Sequence, residues 1–246
     1  MSNCLADSVH RSIPGIPLQS CGTQTSNSLT QTVLLLPRES PGFRSICIPR
    51  NRLNSYVDEV GDERAAIQID KKNAGVIYAI NPREVKYDPR TITNAAMIFY
   101  AAGEDWTMAS FGWDQTNFGL FSGDDVMAGN TYKHLEEKFK ELGGKKLVIS
   151  ECGHGYRSTR CEGPNWSATN QDFIMESSVI TMLNYIKEGK IKVDKTRNSL
   201  PITFHDSCNN ARSCGLFEEP RELLQYLWVK HGWSNTRGNG IMNSQS

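Results

Sequence analysis

Two cysteines stand where a thiolate could do chemistry. Cys152 lies in Glu151-Cys152-Gly153-His154-Gly155-Tyr156-Arg157, and Cys208 in His205-Asp206-Ser207-Cys208-Asn209-Asn210, each just after a short apolar run. The thiolate is the form of cysteine that binds soft metals and attacks other sulfur atoms. His154, Arg157, His205 and Arg212 add donors or positive charge that stabilise a charge on sulfur, and Gly153 and Gly155 let the backbone turn tightly around a ligand. A small buried hydrophobe is the plainer account of a single cysteine, but it is harder to sustain for two Cys-His loops in equivalent places. Cys214, six residues after Cys208, and Cys161, in the irregular stretch before Gly163-Pro164, could approach the same site.

An iron-sulfur site or a structural zinc site needs about four ligands. The chain contains no Cys-x-x-Cys, which disfavours zinc ribbons, thioredoxin-like dithiols and bacterial ferredoxin loops. A metal site would therefore draw its ligands from distant loops. Neither a Gly-x-Gly-x-x-Gly nor a Walker loop occurs, so nothing points to NAD or ATP. No nucleophile elbow supports a serine hydrolase. Turn chemistry accounts for Asp114, Gln115, Asn117, Gly119 and Gly123-Asp124-Asp125, and the helix dipole for Glu218 and Glu219. Glu104 and Asp105 read as solvated, and His134 as a surface residue.

The elements that would position these cysteines alternate. Gly75–Ile80 is an apolar strand broken by Asn81-Pro82, and Thr91–Ala102 a helix stopped by Gly103. Trp106–Ser110 is a strand candidate. Asp124–Leu142 opens with acidic residues, carries Tyr132, Leu135, Phe139 and Leu142 at helical spacing, and ends at Gly143-Gly144. Lys146–Ser150 has the continuous apolar run of a strand buried on both faces. Met175, Val179, Met182, Leu183 and Ile186 mark a helix ending at Gly189, Pro201–Phe204 a strand, and Glu219–Trp228 a helix with Pro220 in its first turn. Strand-helix alternation predicts an α/β fold with a mainly parallel sheet whose chemistry lies at the carboxyl edge. If the strands before Cys152 and Cys208 are neighbours, both thiols emerge at that edge. The expected organisation is a polar, disordered arm over 1–45, a first α/β domain over 46–190, the start of a second over 191–232, and a tail over 233–246.

At 246 residues the chain can bury a real core. Its 27 Lys and Arg balance 27 Asp and Glu, with no basic stripe, so no nucleic-acid partner is expected. No apolar stretch approaches the roughly 20 residues of a membrane helix. Seven dispersed cysteines, an odd number, fit reduced thiols and a cytoplasmic location better than a disulfide framework.

Several segments together resemble a known family. Glu151-Cys152-Gly153-His154, the strand Ile202-Thr203-Phe204 running into His205-Asp206-Ser207-Cys208, and Gly215-Leu216-Phe217-Glu218-Glu219-Pro220-Arg221-Glu222-Leu223-Leu224 are similar to the cysteine-rich (CCG) domains of heterodisulfide-reductase catalytic subunits. The nearest resemblance is to the DsrK-type subunit of the sulfite-reductase-associated membrane complex, and Ile69-Asp70-Lys71 and the stretch from Ile98 to Thr107 share it. It covers about residues 51–226.

The resemblance implies a Rossmann-like CCG architecture, with Cys152 and Cys208 as ligands of a [4Fe-4S] cluster completed by a later Cys-Cys-Gly motif. It further implies electron transfer to a disulfide or trisulfide in sulfur metabolism, with His154 and His205 delivering protons or steadying thiolate. The implied partners are a membrane-bound quinone- or cytochrome-type subunit, which would associate the chain with a membrane, and a disulfide-carrying protein or thiol cofactor. The family's upstream ferredoxin-type cysteine runs and downstream Cys-Cys-Gly do not occur here. The expectation is therefore a chain truncated at both ends, with an incomplete ligand set. The alternative expectation is a module without catalysis, either binding zinc through Cys152, His154, His205 and Cys208 or docking to a partner without metal.

Overall fold

The computed structural model describes residues 58, 61–113, 119–150, 152–166, 173–198, 200 and 202–228, and the backbone of 233–237 and 240–242. The expected arm over 1–45, the helix expected through Leu53 and Val57, and the loop residues Asp114, Gln115 and Asn117 lie outside them.

The fold is α/β. β1 (Val76–Ala79) leads into α1 (Pro82–Tyr87) and α2 (Arg90–Ala101), and β2 (Trp106–Thr107) is followed by α3 (Asp125–Leu142). β3 (Lys146–Ile149) runs into α4 (Gly153–Tyr156), which widens to π-type turns over Arg157–Glu162 and closes as α5 (Gly163–Trp166). β4 (Ile174–Ser177) then leads directly into α6 (Ser178–Lys187). These four strands form one parallel sheet in the order β2-β1-β3-β4, with Val76 opposite both Trp106 and Lys146, and Lys146 opposite Ile174. Every residue of β1 is buried, as are Leu147, Val148 and Ile149. Side chains alternate across a sheet, so both of its faces are covered. Each fully buried aliphatic side chain here contributes about 1.5–3 kcal/mol to holding the layers together. Phe99 ties helix to sheet, with its ring 4.9 Å from Trp106 and edge-on to Tyr78 at 5.4 Å.

Local chemistry sets the element boundaries. α3 starts where Asp124 accepts from the Met127 amide at 2.9 Å and stops at Gly143, whose φ of +68° is costly for any residue with a Cβ. Two expectations are corrected. Asn81-Pro82 does more than break β1. The Asn81 side chain caps α1 by accepting from the Arg83 amide at 2.9 Å, and Glu84 reaches back to the Asn81 amide at 3.3 Å to complete a capping box. Met175 belongs to β4, not to the following helix, because Ser177 accepts from the Val179 amide and fixes the helix start there.

The chain then builds a second, smaller sheet from β5 (Ile202–His205), which is followed by α7 (Glu218–Leu227), and from β6 (Trp233–Arg237) and β7 (Gly240–Met242). β5 pairs parallel with β6, and β6 antiparallel with β7. Both β6 and β7 lie within 233–246, where a tail was expected. β5 is not a neighbour of β3, so the two cysteines do not share one sheet edge. The Lys187–Glu222 ion pair (2.7 Å) links α6 to α7. None of the helices in the described residues is long and apolar enough to cross a membrane.

Candidate thiolate site at the switch point of the sheet

In the order β2-β1-β3-β4 the chain's direction of winding reverses between β1 and β3, which opens a crevice beyond their carboxyl ends. Asn81 follows β1 and Cys152 follows β3, and both are buried. The Asn81 Nδ2 donates to Cys152 Sγ at 3.4 Å, directly across that crevice. Beneath it, Ser150 Oγ hydrogen-bonds Glu84 Oε1, and the Ser150 amide donates to Ala79 O at 2.9 Å. The same Asn81-Glu84 box that starts α1 therefore also fixes a donor on the thiol. An amide N–H on sulfur is a contact that stabilises a thiolate and tunes a metal bound to it.

The Cys208 loop is built by other elements. It is exposed and begins a π-type turn over Cys208–Ser213, capped by Ser207 Oγ, which accepts from the Asn210 amide at 3.2 Å. The neighbouring Asn209 Nδ2 donates to Cys208 Sγ at 3.6 Å. The preceding Asp206 is locked by Arg221 of α7, whose Nη2 lies 2.6 Å from both carboxylate oxygens; both residues are buried. Arg221 also donates to Phe217 O, and its guanidinium lies over the Phe204 ring at 5.6 Å. This explains why a Glu-Pro-Arg helix accompanies a His-Asp-Ser-Cys loop: the arginine holds the loop through its aspartate.

The two loops meet although their strands do not. A Cβ on Gly153 would lie 3.2 Å from Asn209 Cβ, Asn210 Cγ and Asn210 N, so the position leaves little room for a side chain. Gly153 thus lets the Cys208 loop pack closely against it, a role not anticipated from turn geometry. Arg157 Nη1 adds a long contact of 3.5 Å to Asn209 Oδ1.

The remaining candidates are more peripheral. His154 is exposed, with its ring 4.8 Å from Phe121, and Arg157 lies over that same Phe121 ring at 5.9 Å. His205 is exposed at the end of β5. Glu104 accepts from the Tyr185 hydroxyl at 2.7 Å, which together with burial pushes the tyrosine's pKa up, and Asp105 pairs with Lys71. His134 is half-buried against Phe111, not on the open surface. Cys161 and Cys214 approach one another, with their sulfurs 3.5 Å apart. Among the described residues no group of three or more His, Cys, Asp or Glu is placed to hold a metal ion. Sequence reasoning missed Asn81, Glu84, Asn209 and Arg221. The first two were findable, because Asn-Pro-Arg-Glu is a capping-box pattern.

Several known proteins are similar to this chain in sequence. A subunit of the dihydromethanophenazine:CoB--CoM heterodisulfide reductase of Methanosarcina mazei is 30% identical over 95 residues, which are 39% of this chain and 23% of that protein. The corresponding protein of Methanosarcina barkeri is 25% identical over 185 residues, covering 71% of this chain and 44% of its own length. The Hdr-like menaquinol oxidoreductase iron-sulfur subunit 2 of Archaeoglobus fulgidus is 25% identical over 198 residues, 64% of this chain and 35% of that one. The chain's homologues are heterodisulfide-reductase-like subunits. The similarity is at low identity and is shared among these methanogen and Archaeoglobus proteins; it does not single out the DsrK type. The chain spans less than half the length of these relatives. No family model and no solved structure matches.

Proposed function

We propose that this chain is part of a heterodisulfide-reductase-like oxidoreductase of the DsrK type in sulfur metabolism, in which Cys152 and Cys208 supply two thiolates to an iron-sulfur centre. The observation that carries the reading is the seating of Asn209 and Asn210 on Gly153, which brings the two cysteine loops together beside the crevice at the switch point. Each sulfur already has an amide donor, from Asn81 or Asn209. These residues suit two ligands of a [4Fe-4S] cluster, and the remaining ligands come from outside the group formed by Cys152 and Cys208. When bound, such a centre supplies one-electron steps, so that two of them reduce a disulfide or trisulfide.

The chain's own residues have separable tasks in this reading. Asn81 and Asn209 stabilise negative charge on sulfur, and Arg221 holds the Cys208 loop in place through Asp206. His154 and His205, both exposed, are the side chains that would pass protons to the substrate in this reading. The named relatives from Methanosarcina and Archaeoglobus support a partner that exchanges electrons with a membrane quinone or phenazine and a substrate that is a disulfide of thiol cofactors; a disulfide on a carrier protein is the other substrate of this reading.

The test is anaerobic reconstitution of the complete polypeptide with iron and sulfide. Stoichiometric iron and sulfide with a cluster absorption and paramagnetic resonance spectrum are expected, both lost in Cys152→Ala and Cys208→Ala. Zinc binding without iron, or unchanged partner binding with no metal in either variant, would replace this reading with a structural or docking role.

A further inference from the structure

Cys161 and Cys214 have no part in the site described above, yet their placement is specific. Cys161 sits in the π-type turns after α4, and Cys214 immediately follows those after Cys208. They are 53 positions apart in sequence, and both are half-buried, with their sulfurs 3.5 Å apart. Two sulfurs at that separation are in van der Waals contact, so a disulfide of about 2.05 Å needs only a small closing movement of two side chains. The elements that hold them are the same two loops that carry Cys152 and Cys208. Burial and the neighbouring Cys161 push the Cys214 thiol up to about 12, while the guanidiniums of Arg157 and Arg160 act in the opposite direction. Burial therefore holds Cys214 in its thiol form, and the cationic side chains offset that only in part.

We infer that Cys161 and Cys214 form a redox-active dithiol that reduces a low-molecular-weight disulfide and, in doing so, covalently links the Cys152 loop to the Cys208 loop. One thiol gives up its proton and attacks the incoming disulfide. A mixed disulfide forms, and one small thiolate leaves and takes up a proton. The second protein thiol, deprotonated in turn, attacks the protein sulfur of the mixed disulfide and releases the second small thiol. Two protein thiols are oxidised, one substrate disulfide is reduced, and the protons end on the two released thiols. The inference does not depend on the iron-sulfur reading, and iron plays no part in its readout.

The test uses the full chain in the reduced state, exposed anaerobically to oxidised glutathione, quenched with an alkylating agent and digested with trypsin without reduction. Cleavage after Lys and Arg places the four cysteines in separate peptides: 147–157 for Cys152, 161–187 for Cys161, 198–212 for Cys208 and 213–221 for Cys214. The expected product is peptide 161–187 joined to 213–221, two hydrogens lighter than their sum, with 147–157 and 198–212 alkylated. In Cys214→Ser, Cys161 should instead retain a glutathione adduct that the unmodified chain resolves. Alkylation of both Cys161 and Cys214 in the unmodified chain would overturn the inference, as would stable glutathione adducts on both or a link from either to any of the other five cysteines.

Discussion

The loops around Cys152 and Cys208 present the same kind of residue in opposite ways. Cys152 is buried at the switch point of a parallel sheet, and its donor Asn81 is itself fixed by a helix cap. Cys208 is exposed and hangs from a smaller sheet, held in place by a buried ion pair two residues before it. One thiol is positioned by the sheet itself, whereas the other depends on one arginine of α7. The contrast suggests a rigid half-site and an adjustable half-site, and damage to the second should leave the first intact.

The largest effect should come from Arg221→Ala. Removing one member of a buried ion pair leaves Asp206 uncompensated, at a cost of about 3–5 kcal/mol. Urea denaturation should show this loss, and proteolysis should open near residues 206–217 while the parallel sheet stays protected. Arg221→Lys should recover only part of it, because a lysine cannot contact Asp206, Phe217 O and the Phe204 ring together. If the alanine variant unfolds the whole chain in one step, the two halves are not separable.

Gly153→Ala tests the joint. Its Cβ would press against Asn209 and Asn210, and forcing a methyl into packed structure costs about 1–3 kcal/mol. Iron incorporation on reconstitution should fall even where the folded chain remains, because the Cys208 loop is displaced and the Cys152 loop is not. Asn81→Ala should cost less, about 0.5–2 kcal/mol for the lost cap. It should also speed alkylation of Cys152 without changing that of Cys208.

How far these features could be read beforehand follows from the range of the interactions. The buried runs of β1 and β3, the caps of α3 and the two Cys-His loops are local patterns, and each lies within a few residues of its expected place. The strand β4 was hidden because Ile-Met-Glu-Ser is short and runs without a break into the apolar face of α6. The meeting of the two cysteine loops was anticipated for the wrong reason. A shared sheet edge was expected, whereas loop-to-loop packing at Gly153 joins them. Arg221 was out of reach because its partner Asp206 lies 15 residues away and on a different element.

The smallest energetic signal is also the sharpest way to rank the thiols. Cys208, exposed, should react with iodoacetamide first, and Cys152, buried, much later. Cys214 should differ from both in its response to pH. Its thiol is pushed up to about 12 by burial and by Cys161, against the opposing charges of Arg157 and Arg160; Tyr156 titrates beside it, also pushed up to about 12 by burial. Because only the thiolate alkylates, the rate at Cys214 should rise about tenfold per pH unit throughout the range below that value. A rate at Cys214 that levels off near pH 9 would mean that the thiol is neither buried nor in contact with Cys161 in solution. The contact between the two loops would then be looser than the packing at Gly153 requires.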